Sequence, residues 1–282
     1  MWRRRQRWGE SVKVSCSQLL FDYVHFVTIY DGQRIRENLT MTSALNIQLS
    51  SFLSEFTSFR LNEFAEQVFG SEPDVFQRNK VPNQQAPFLA IAKREVGDKA
   101  IVIQLQPGRL NFFLESLAAR EDSPLPVFDF DSNLELLLTA FDAASDIPVS
   151  TRVACNVTTV ELYDSLPDAL GGFGQLTGID LPEFSTDVVF QMNARSRIGD
   201  VDINRIMAAN VVEHRKLQIT ISPDSQATHS LGDYFYGLQL TCDFNTVPSG
   251  RIFNMNEQKN LMRDLANLTR SAVLANTFNF LK

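Results

Sequence analysis

Alternation of apolar and polar residues predicts strands in the first half of the chain. Three alternating segments are separated by the turn pairs Gly97-Asp98 and Pro107-Gly108, a spacing typical of an antiparallel meander. The predicted strands cover residues 88–96, 100–106 and 109–116. An earlier segment, residues 12–30, is rich in β-branched and aromatic residues and predicts one or two further strands.

Helical spacing occurs twice in the same half. In residues 45–69 the apolar side chains recur three and four positions apart and Gly70 supplies a stop, so an amphipathic helix or a broken pair of helices is expected. Ser132 and Glu135 match a capping box, in which the two side chains bond free amides of the first helical turn. This box predicts a helix over residues 133–145.

The second half repeats this order of strands followed by a helix. Strands are predicted over residues 149–160, 187–193, 202–213, 217–222 and 236–244. A second capping box, Asn254 to Glu257, predicts a helix that ends near Ala275. The Gly-rich residues 171–178 lack the Lys-Ser/Thr pair of a phosphate-binding loop, so they are expected to form a flexible loop.

Together these elements predict an α+β fold with two mainly antiparallel meanders, each followed by a capped helix. A length of 282 residues suits one large or two modest domains. The expected organisation is a basic tail over residues 1–10, an N-terminal half over residues 11–146 and a C-terminal half over residues 147–282. The shared order of elements indicates a structural duplication of pattern, without residue-level identity.

Composition and charge narrow the class of protein. The 22 phenylalanines favour interior packing over a base-stacking platform, since a bare phenyl ring has no hydrogen-bonding group. A formal net charge of −7 disfavours general nucleic-acid binding. The widely spaced Cys16, Cys155 and Cys242 suggest reduced thiols, and the start of the chain lacks the pattern of a signal peptide, so a cytoplasmic protein is expected.

The first eight residues depart from this acidic composition. Arg3, Arg4, Arg5 and Arg7 lie between two tryptophans, a pattern that can bind an anionic polymer or a membrane surface. The alternative is an unanchored tail, or a start codon assigned too early.

Two sets of polar residues are candidates for a site. Asp129, Asp131, Asp202 and His214 are candidates for the acid–histidine pocket of a hydrolase or nucleotide-processing enzyme, although Asp131 also suits a helix start. No metal or cofactor is predicted, because no histidine or cysteine stands at ligand spacing to the acidic pairs and no nucleotide motif is complete.

The second set lies within predicted strands. Arg152 and Asn156 share one face of a strand, and Asp202 and Asn204 share a face of another. If these faces meet, the four side chains form a polar groove for a charged ligand or partner. Solvent-facing positions of an antiparallel sheet explain them equally well.

Three segments resemble a sporadically distributed family of uncharacterised bacterial proteins of about this length. They are residues 104–112, residues 151–156 and residues 238–243. The resemblance covers the architecture of residues 87–275, and Cys155 stands where that family tends to have an aromatic residue. It implies a fold and a bacterial or phage origin, without an established activity.

The leading hypothesis is a non-enzymatic binding or assembly protein with a protein partner or a second copy of itself. Its contacts are expected at sheet edges, at a Phe-rich face of residues 49–68 or at the last helix. The alternatives are the enzyme described above and an accessory nucleic-acid-binding component that acts through the basic tail. The sequence does not decide whether the protein is an enzyme.

Overall fold

The computed structural model describes residues 43–54, 59–79, 88–117, 124–221 and 227–281. The strands are β1 (Ser43–Leu53), β2 (Val75–Arg78), β3 (Ala90–Val96), β4 (Lys99–Gln106), β5 (Arg109–Ser116), β6 (Phe128–Asp129), β7 (Ser150–Tyr163), β8 (Val189–Ile198), β9 (Val201–Ile221) and β10 (Ala227–Thr246). The helices are α1 (Leu61–Phe69), α2 (Phe130–Ala143), α3 (Leu166–Thr177) and α4 (Met255–Ala275), and a short 3-10 helix (Phe278–Leu281) follows α4. The predicted α+β class is confirmed.

Over the described residues, ten strands of different lengths pair antiparallel in a single sheet. Its order is β2-β3-β4-β5-β1-β7-β10-β9-β8, with β6 paired beside β1. At the centre β1 pairs with β7, where Leu49 lies opposite Cys155. The sheet therefore runs across the predicted boundary between the N-terminal and C-terminal halves.

All four described α-helices pack on one side of the sheet, called here the helical face. Its core contains a chain of edge-on aromatic rings, with Phe112 of β5 at 6.0 Å from Phe64 of α1 and 5.2 Å from Phe141 of α2. These rings are fully or almost fully buried, which places phenylalanine in the interior as expected. Helix α4 covers β7 and β10 with a stripe that includes Leu261 and Leu265.

Local signals for α4 and for the first meander are confirmed. The Asn254 side chain accepts a hydrogen bond from the Glu257 amide at 3.1 Å, and the Glu257 carboxylate accepts one from the Asn254 amide at 2.9 Å. Both predicted turns join strands of the meander, and Gly97 and Gly108 have positive φ angles of 65° and 72°. Glycine is favoured there because a side chain is strained at such angles.

The helix expected over residues 45–69 is wrong in its first part, which forms strand β1. This strand lies at the centre of the sheet with neighbours on both sides, and it buries Leu49 and Leu53 against the helices. Its apolar positions do not alternate cleanly, because Phe52 lies on the face opposite to Leu49 and Leu53. Only α1 is helical, and it ends at Gly70 as predicted. Leu61 and Phe64 are also buried, so these two side chains are not part of an exposed surface, and contacts through a Phe-rich face of residues 49–68 stay a prediction.

Two other expectations need correction. Helix α2 begins at Phe130 and is capped by Asp129, whose side chain accepts a hydrogen bond from the Ser132 amide at 3.0 Å, so Ser132 is not the cap. The Gly-rich residues 171–178 belong to α3 and its C-cap rather than to a loop. Ser165 caps α3, and Gly178 ends it with φ of 75°. Pro167 in the first turn and buried residues three positions apart explain the helix.

Strand β9 is continuous over the segment predicted as two strands, and with β10 it forms a long hairpin. Pairing of β10 with β7 stops at Tyr236, and pairing of β8 with β9 stops at Asn210. Beyond these points β9 and β10 pair with each other alone, within the described residues.

The strands predicted over residues 12–30 and the basic tail lie outside the described residues.

Candidate binding face of the sheet

The side of the sheet opposite the helices, called here the polar face, carries a row of polar side chains. Strand register places seven residues side by side on neighbouring strands from β4 to β8, and six of them are polar. The row is Gln104, Asn111, Ser50, Ala154, Asn245, Asn204 and Arg195. Because side chains alternate between the two faces, this row is separated from the apolar core by the sheet itself.

Hydrogen bonds join the part of the row on β1, β4 and β5. The Ser50 hydroxyl donates to Asn111 Oδ1 at 2.9 Å, and Gln48 Nε2 donates to the same oxygen at 3.1 Å. The Asn111 amide in turn donates to Gln104 Oε1 at 3.3 Å. Ser50 and Asn111 are almost fully buried, so these bonds satisfy polar groups that would otherwise destabilise the sheet.

A second group of bonds joins β10 and β9. Asn204 Nδ2 donates to Asn245 Oδ1 at 3.1 Å, and Asn245 Nδ2 donates to Asp243 Oδ1 at 3.0 Å. Asn156 of β7 lies opposite Asp243 and accepts a bond from Asn46 at 3.3 Å. The Asp243 carboxylate thus lies among neutral amides in the middle of the face.

Arg109, Phe52 and Arg152 form a cluster at one edge of this face, called here the Arg–Phe–Arg cluster. Phe52 pairs with Arg109 on one side and Arg152 on the other. The guanidinium carbons lie 5.1 Å and 4.8 Å from the centre of the Phe52 ring. Both arginines therefore make cation–π contacts with the same ring.

The two arginines of this cluster lack an ion pair with any described carboxylate. Arg109 donates to the Ser50 hydroxyl at 3.0 Å. The Nε atoms of Arg109 and Arg152 are buried and have no hydrogen-bond partner among the described residues. Burial lowers the pKa of Arg109, the Asp243 carboxylate opposes that effect, and the neighbouring charge of Arg152 lowers the pKa further. The cluster holds two mutually repelling cations in a partly dehydrated place.

A short segment covers one end of the polar face. Leu125 and Val127 pack there with Val160 and Phe235. His214 stacks on Phe235 with ring centres 5.0 Å apart. No helix packs on the rest of the face in the part of the chain that the structure describes, and at the opposite end Ile91, Ala100 and Val102 form a small buried apolar cluster.

The structure brings the predicted groove residues to the same face. Arg152, Asn156 and Asn204 lie on β7 and β9 with their side chains toward the polar face. Asp202 lies at the end of this face, where its carboxylate accepts a bond from Arg197 Nε at 2.6 Å. The juxtaposition follows from β10, which lies between β7 and β9 and pairs with both.

The residues considered for an acid–histidine pocket are not brought together. Asp129 caps α2, and Asp131 forms an ion pair with Arg270 of α4 at 2.5 Å. Asp202 and His214 lie on the same strand at positions that differ by twelve residues, a separation of roughly 40 Å at about 3.3 Å per residue. A pocket built from these four side chains does not form.

The remaining expectations concern metals, membranes and the tail. Within the described residues there is no group of three histidine, cysteine or acidic side chains that could hold a metal ion. None of the described helices is both long enough and apolar enough to cross a membrane. Arg3, Arg4, Arg5 and Arg7 lie outside the described residues, so nucleic-acid binding by the tail stays a prediction.

Comparison with known proteins adds no relatives. No protein-family model matches the chain, and no curated protein and no solved structure matches it. The resemblance to a family of bacterial proteins therefore stays a prediction, and the function has to be argued from the polar face.

Phe52 and Arg109, the central members of the site, are not among the candidate residues that the sequence predicts. Phe52 falls in the segment predicted as helix, and Arg109 begins a predicted strand after a turn. A signal was present in the alternation of Gln104, Gln106, Arg109 and Asn111 with buried Leu105 and Leu110. Polar residues at every second position of two paired strands mark one face of a sheet.

Proposed function

We propose that this protein is a non-enzymatic binding or assembly protein whose contact surface is the polar face. The observation that carries the proposal is the row of side chains from Gln104 to Arg195, which no described helix covers. Two groups of hydrogen bonds fix its buried centre, and Gln104, Asn204 and Arg195 are its half-buried or exposed members. Such a face offers donors and acceptors in fixed positions, since strands hold them in register.

The polar face is preferred to the other surfaces considered. The apolar stripe of α4 is buried against β7 and β10. The outward side of α4 carries polar residues such as Asn256 and Asn260. The edge strand β8 exposes Arg195 and Arg197, and charged side chains on an edge oppose pairing with another strand. Neither α4 nor the edge of β8 carries a row of polar side chains held by hydrogen bonds, as the polar face does.

Binding is preferred to catalysis because the acidic residues have structural partners. Asp129 caps α2, while Asp131 and Asp202 are in ion pairs with Arg270 and Arg197. A general acid or base has to lie within hydrogen-bonding reach of a reacting group and of its partner residues. The separation of these residues gives no such arrangement.

The proposal includes the duplication indicated by the sequence. Each half has the order strand, helix, three-stranded meander, helix, with β2 and β6 as additions to the first half. The sheet order outward from β1 is β5-β4-β3, and outward from β7 it is β10-β9-β8. The first turn of each meander is Gly-Asp, at Gly97-Asp98 and Gly199-Asp200, with positive φ at both glycines. These features support two copies of one unit joined edge to edge.

Site-specific photo-cross-linking tests the contact surface. A benzophenone amino acid at Asn193 or Gln191, which are exposed positions of β8 on the polar face, is expected to give a cross-linked product of discrete mass in lysate of the native host. The matched control is the same amino acid at Asn260, an exposed position of α4.

The cross-linking result distinguishes a contact at the polar face from a contact at α4. Products at Asn193 and Gln191 but not at Asn260 support the polar face, and mixing two differently tagged copies shows whether the partner is a second copy. Equal products at all three positions, or products at Asn260 alone, would contradict it.

A further inference from the structure

We infer that the Arg–Phe–Arg cluster is a binding site for an oxyanion group, a carboxylate or a phosphate, on the ligand or partner of the polar face. This inference rests on the proposed binding role of that face. It specifies that the partner or ligand presents an oxyanion group and that Arg109 and Arg152 contact this group.

The two guanidinium groups of the cluster lie against the same aromatic ring. Each lies about 5 Å from the centre of the Phe52 ring, so their central carbons are no more than about 10 Å apart. Stacking on a ring uses the flat surface of a guanidinium and leaves its N–H edge free to donate. Within this limit the two guanidinium groups can contact different oxygens of one doubly charged ligand.

Most donors of the cluster have no acceptor within the described residues. Arg152 has no hydrogen bond or ion pair within the described residues, and Arg109 has one bond, to the Ser50 hydroxyl. The Nε atoms of both are buried without a described partner. Buried donors to which no acceptor is bonded are destabilising, and charged donors more so. Each guanidinium also carries Nη donors, and those of Arg152 have no partner within the described residues, so an oxyanion supplies acceptors of the right charge to the cluster through them.

The described strands of the polar face carry more cations than carboxylates. The whole chain has a formal net charge of −7, yet this face has three arginines outside any described ion pair, Arg109, Arg152 and Arg195. The other cations on these strands, Lys93 and Arg197, are neutralised by Glu115 and Asp202. The remaining carboxylates are Asp243, which accepts a bond from Asn245, and Glu95 of β3. The excess of cations favours an anion locally, against the charge of the whole chain.

The preference for an oxyanion over a simple halide follows from geometry. A guanidinium presents parallel N–H groups whose spacing matches two oxygens of a carboxylate or phosphate. The neighbouring amides of Gln106 and Gln104 are bonded to each other at 2.8 Å, which holds them beside Arg109. We therefore expect specificity for planar or tetrahedral oxyanions rather than dependence on ionic strength alone.

Arginine side-chain NMR tests the site directly. The full-length protein, labelled with ¹⁵N-arginine, is titrated with inorganic phosphate in one arm and with succinate in the other, with sodium chloride used to keep the ionic strength constant. We expect saturable shifts of the Nε–H signals of Arg109 and Arg152 with at least one of the two anions. Their signals are assigned by loss in Arg109→Gln and Arg152→Gln.

Three variants give the matched comparison. Arg109→Gln and Arg152→Gln are each expected to weaken binding by at least about ten-fold, because each removes a charged donor fork. Arg195→Gln removes the same charge from an exposed position of the same face and is expected to weaken binding by less than about two-fold, as a screened surface charge does. Arg152→Lys retains the charge and loses the fork, so it is expected to resemble Arg152→Gln. Thermal unfolding of each variant verifies that it is folded.

The outcomes separate this inference from the proposed function. Saturable binding of either anion that depends on Arg109 and Arg152 supports the inference, and the arm that saturates identifies the oxyanion. Shifts that rise linearly without saturation, or an equal loss in Arg195→Gln, would overturn it. If the anions fail while cross-linking still occurs at Asn193, the polar face binds a partner without an oxyanion at this cluster. If the anions bind and the cross-links are absent, the protein-partner proposal fails while the site stands.

Discussion

Burial decides what the two described cysteines can do. Cys155 and Cys242 lie on the helical face and are fully buried. Burial raises the pKa of the Cys155 thiol to about 12, although the Thr269 side chain of α4 opposes the shift, and burial also raises the pKa of Cys242. The thiolate is the reactive form of cysteine, so these residues are apolar core side chains rather than nucleophiles.

Alkylation and alkaline unfolding test this description in a Cys16→Ser variant. At pH 8, iodoacetamide is expected to modify the folded protein at least about ten-fold more slowly than the protein in urea, since the thiolate fraction falls about ten-fold per pKa unit. The folded pKa of Cys155 lies above its ordinary value of 9.0, so the stability contributed by this protonated thiol is complete below pH 9 and is lost as pH rises toward 12.

The control for the pH effect is Cys16→Ser with Cys155→Ala. Its urea midpoint is expected to fall less between pH 8 and pH 10 than that of Cys16→Ser alone. An equal fall in the two proteins, or fast alkylation of the folded protein, would show that the thiols are accessible.

At the scale of elements, α3 depends on one of its glycines and not on the adjacent one. A Cβ added at Gly172 would overlap the Tyr163 hydroxyl and lie 3.1 Å from Leu238 Cδ2, whereas a Cβ added at Gly171 meets nothing within 4 Å. Gly172 therefore sets how closely α3 packs on β7 and β10.

The pair Gly172→Ala and Gly171→Ala tests this packing. Gly172→Ala is expected to destabilise the protein by about 1–3 kcal/mol, because an overpacked contact has to move. Gly171→Ala is expected to stabilise it by about 0.5–1 kcal/mol, because alanine loses less conformational freedom in a helix. Urea denaturation measures both. The same change in stability for the two variants would mean that α3 does not pack as closely as the contact with Tyr163 implies.

Elements could be predicted from sequence wherever a local signal was sufficient. The Gly97-Asp98 turn and the Asn254–Glu257 box act over two to four residues, and both are found where predicted. Helix α3 and strand β1 were missed for a different reason. Gly172 of α3 lies where a side chain would overlap Tyr163, and the apolar spacing of β1 arises because Phe52 lies on the face opposite to Leu49 and Leu53. Such tertiary contacts override local propensity.

At the scale of the whole molecule, the polar face shows how much of the site a single sequence allows. The parity of Arg152 and Asn156 could be predicted, because side chains alternate along a strand. The meeting of Phe52, Arg109 and Arg152 could not, because it requires the order β5-β1-β7 and the register of all three strands. Sheet order depends on long-range pairing that local pattern does not specify.

The distal part of the β9–β10 hairpin is expected to be dispensable for folding. Beyond Tyr236 and Asn210 these strands pair only with each other within the described residues, and an isolated two-stranded ribbon is marginally stable in water. Arg215 lies opposite Tyr234, with its guanidinium carbon 4.5 Å from the ring centre. Replacing residues 216–233 by Asn-Gly would close the hairpin at this pair with a two-residue turn that suits it.

The shortened protein is expected to unfold cooperatively, with a free energy of unfolding within about 1 kcal/mol of that of the full chain. Its cross-linking from Asn193 is also expected to be unchanged, because this position lies on the part of the sheet that retains all its neighbours. Retained folding with loss of the cross-link would place the partner's main contact on the hairpin rather than on the polar face. Loss of cooperative unfolding would mean that the hairpin is part of the core rather than an extension of it.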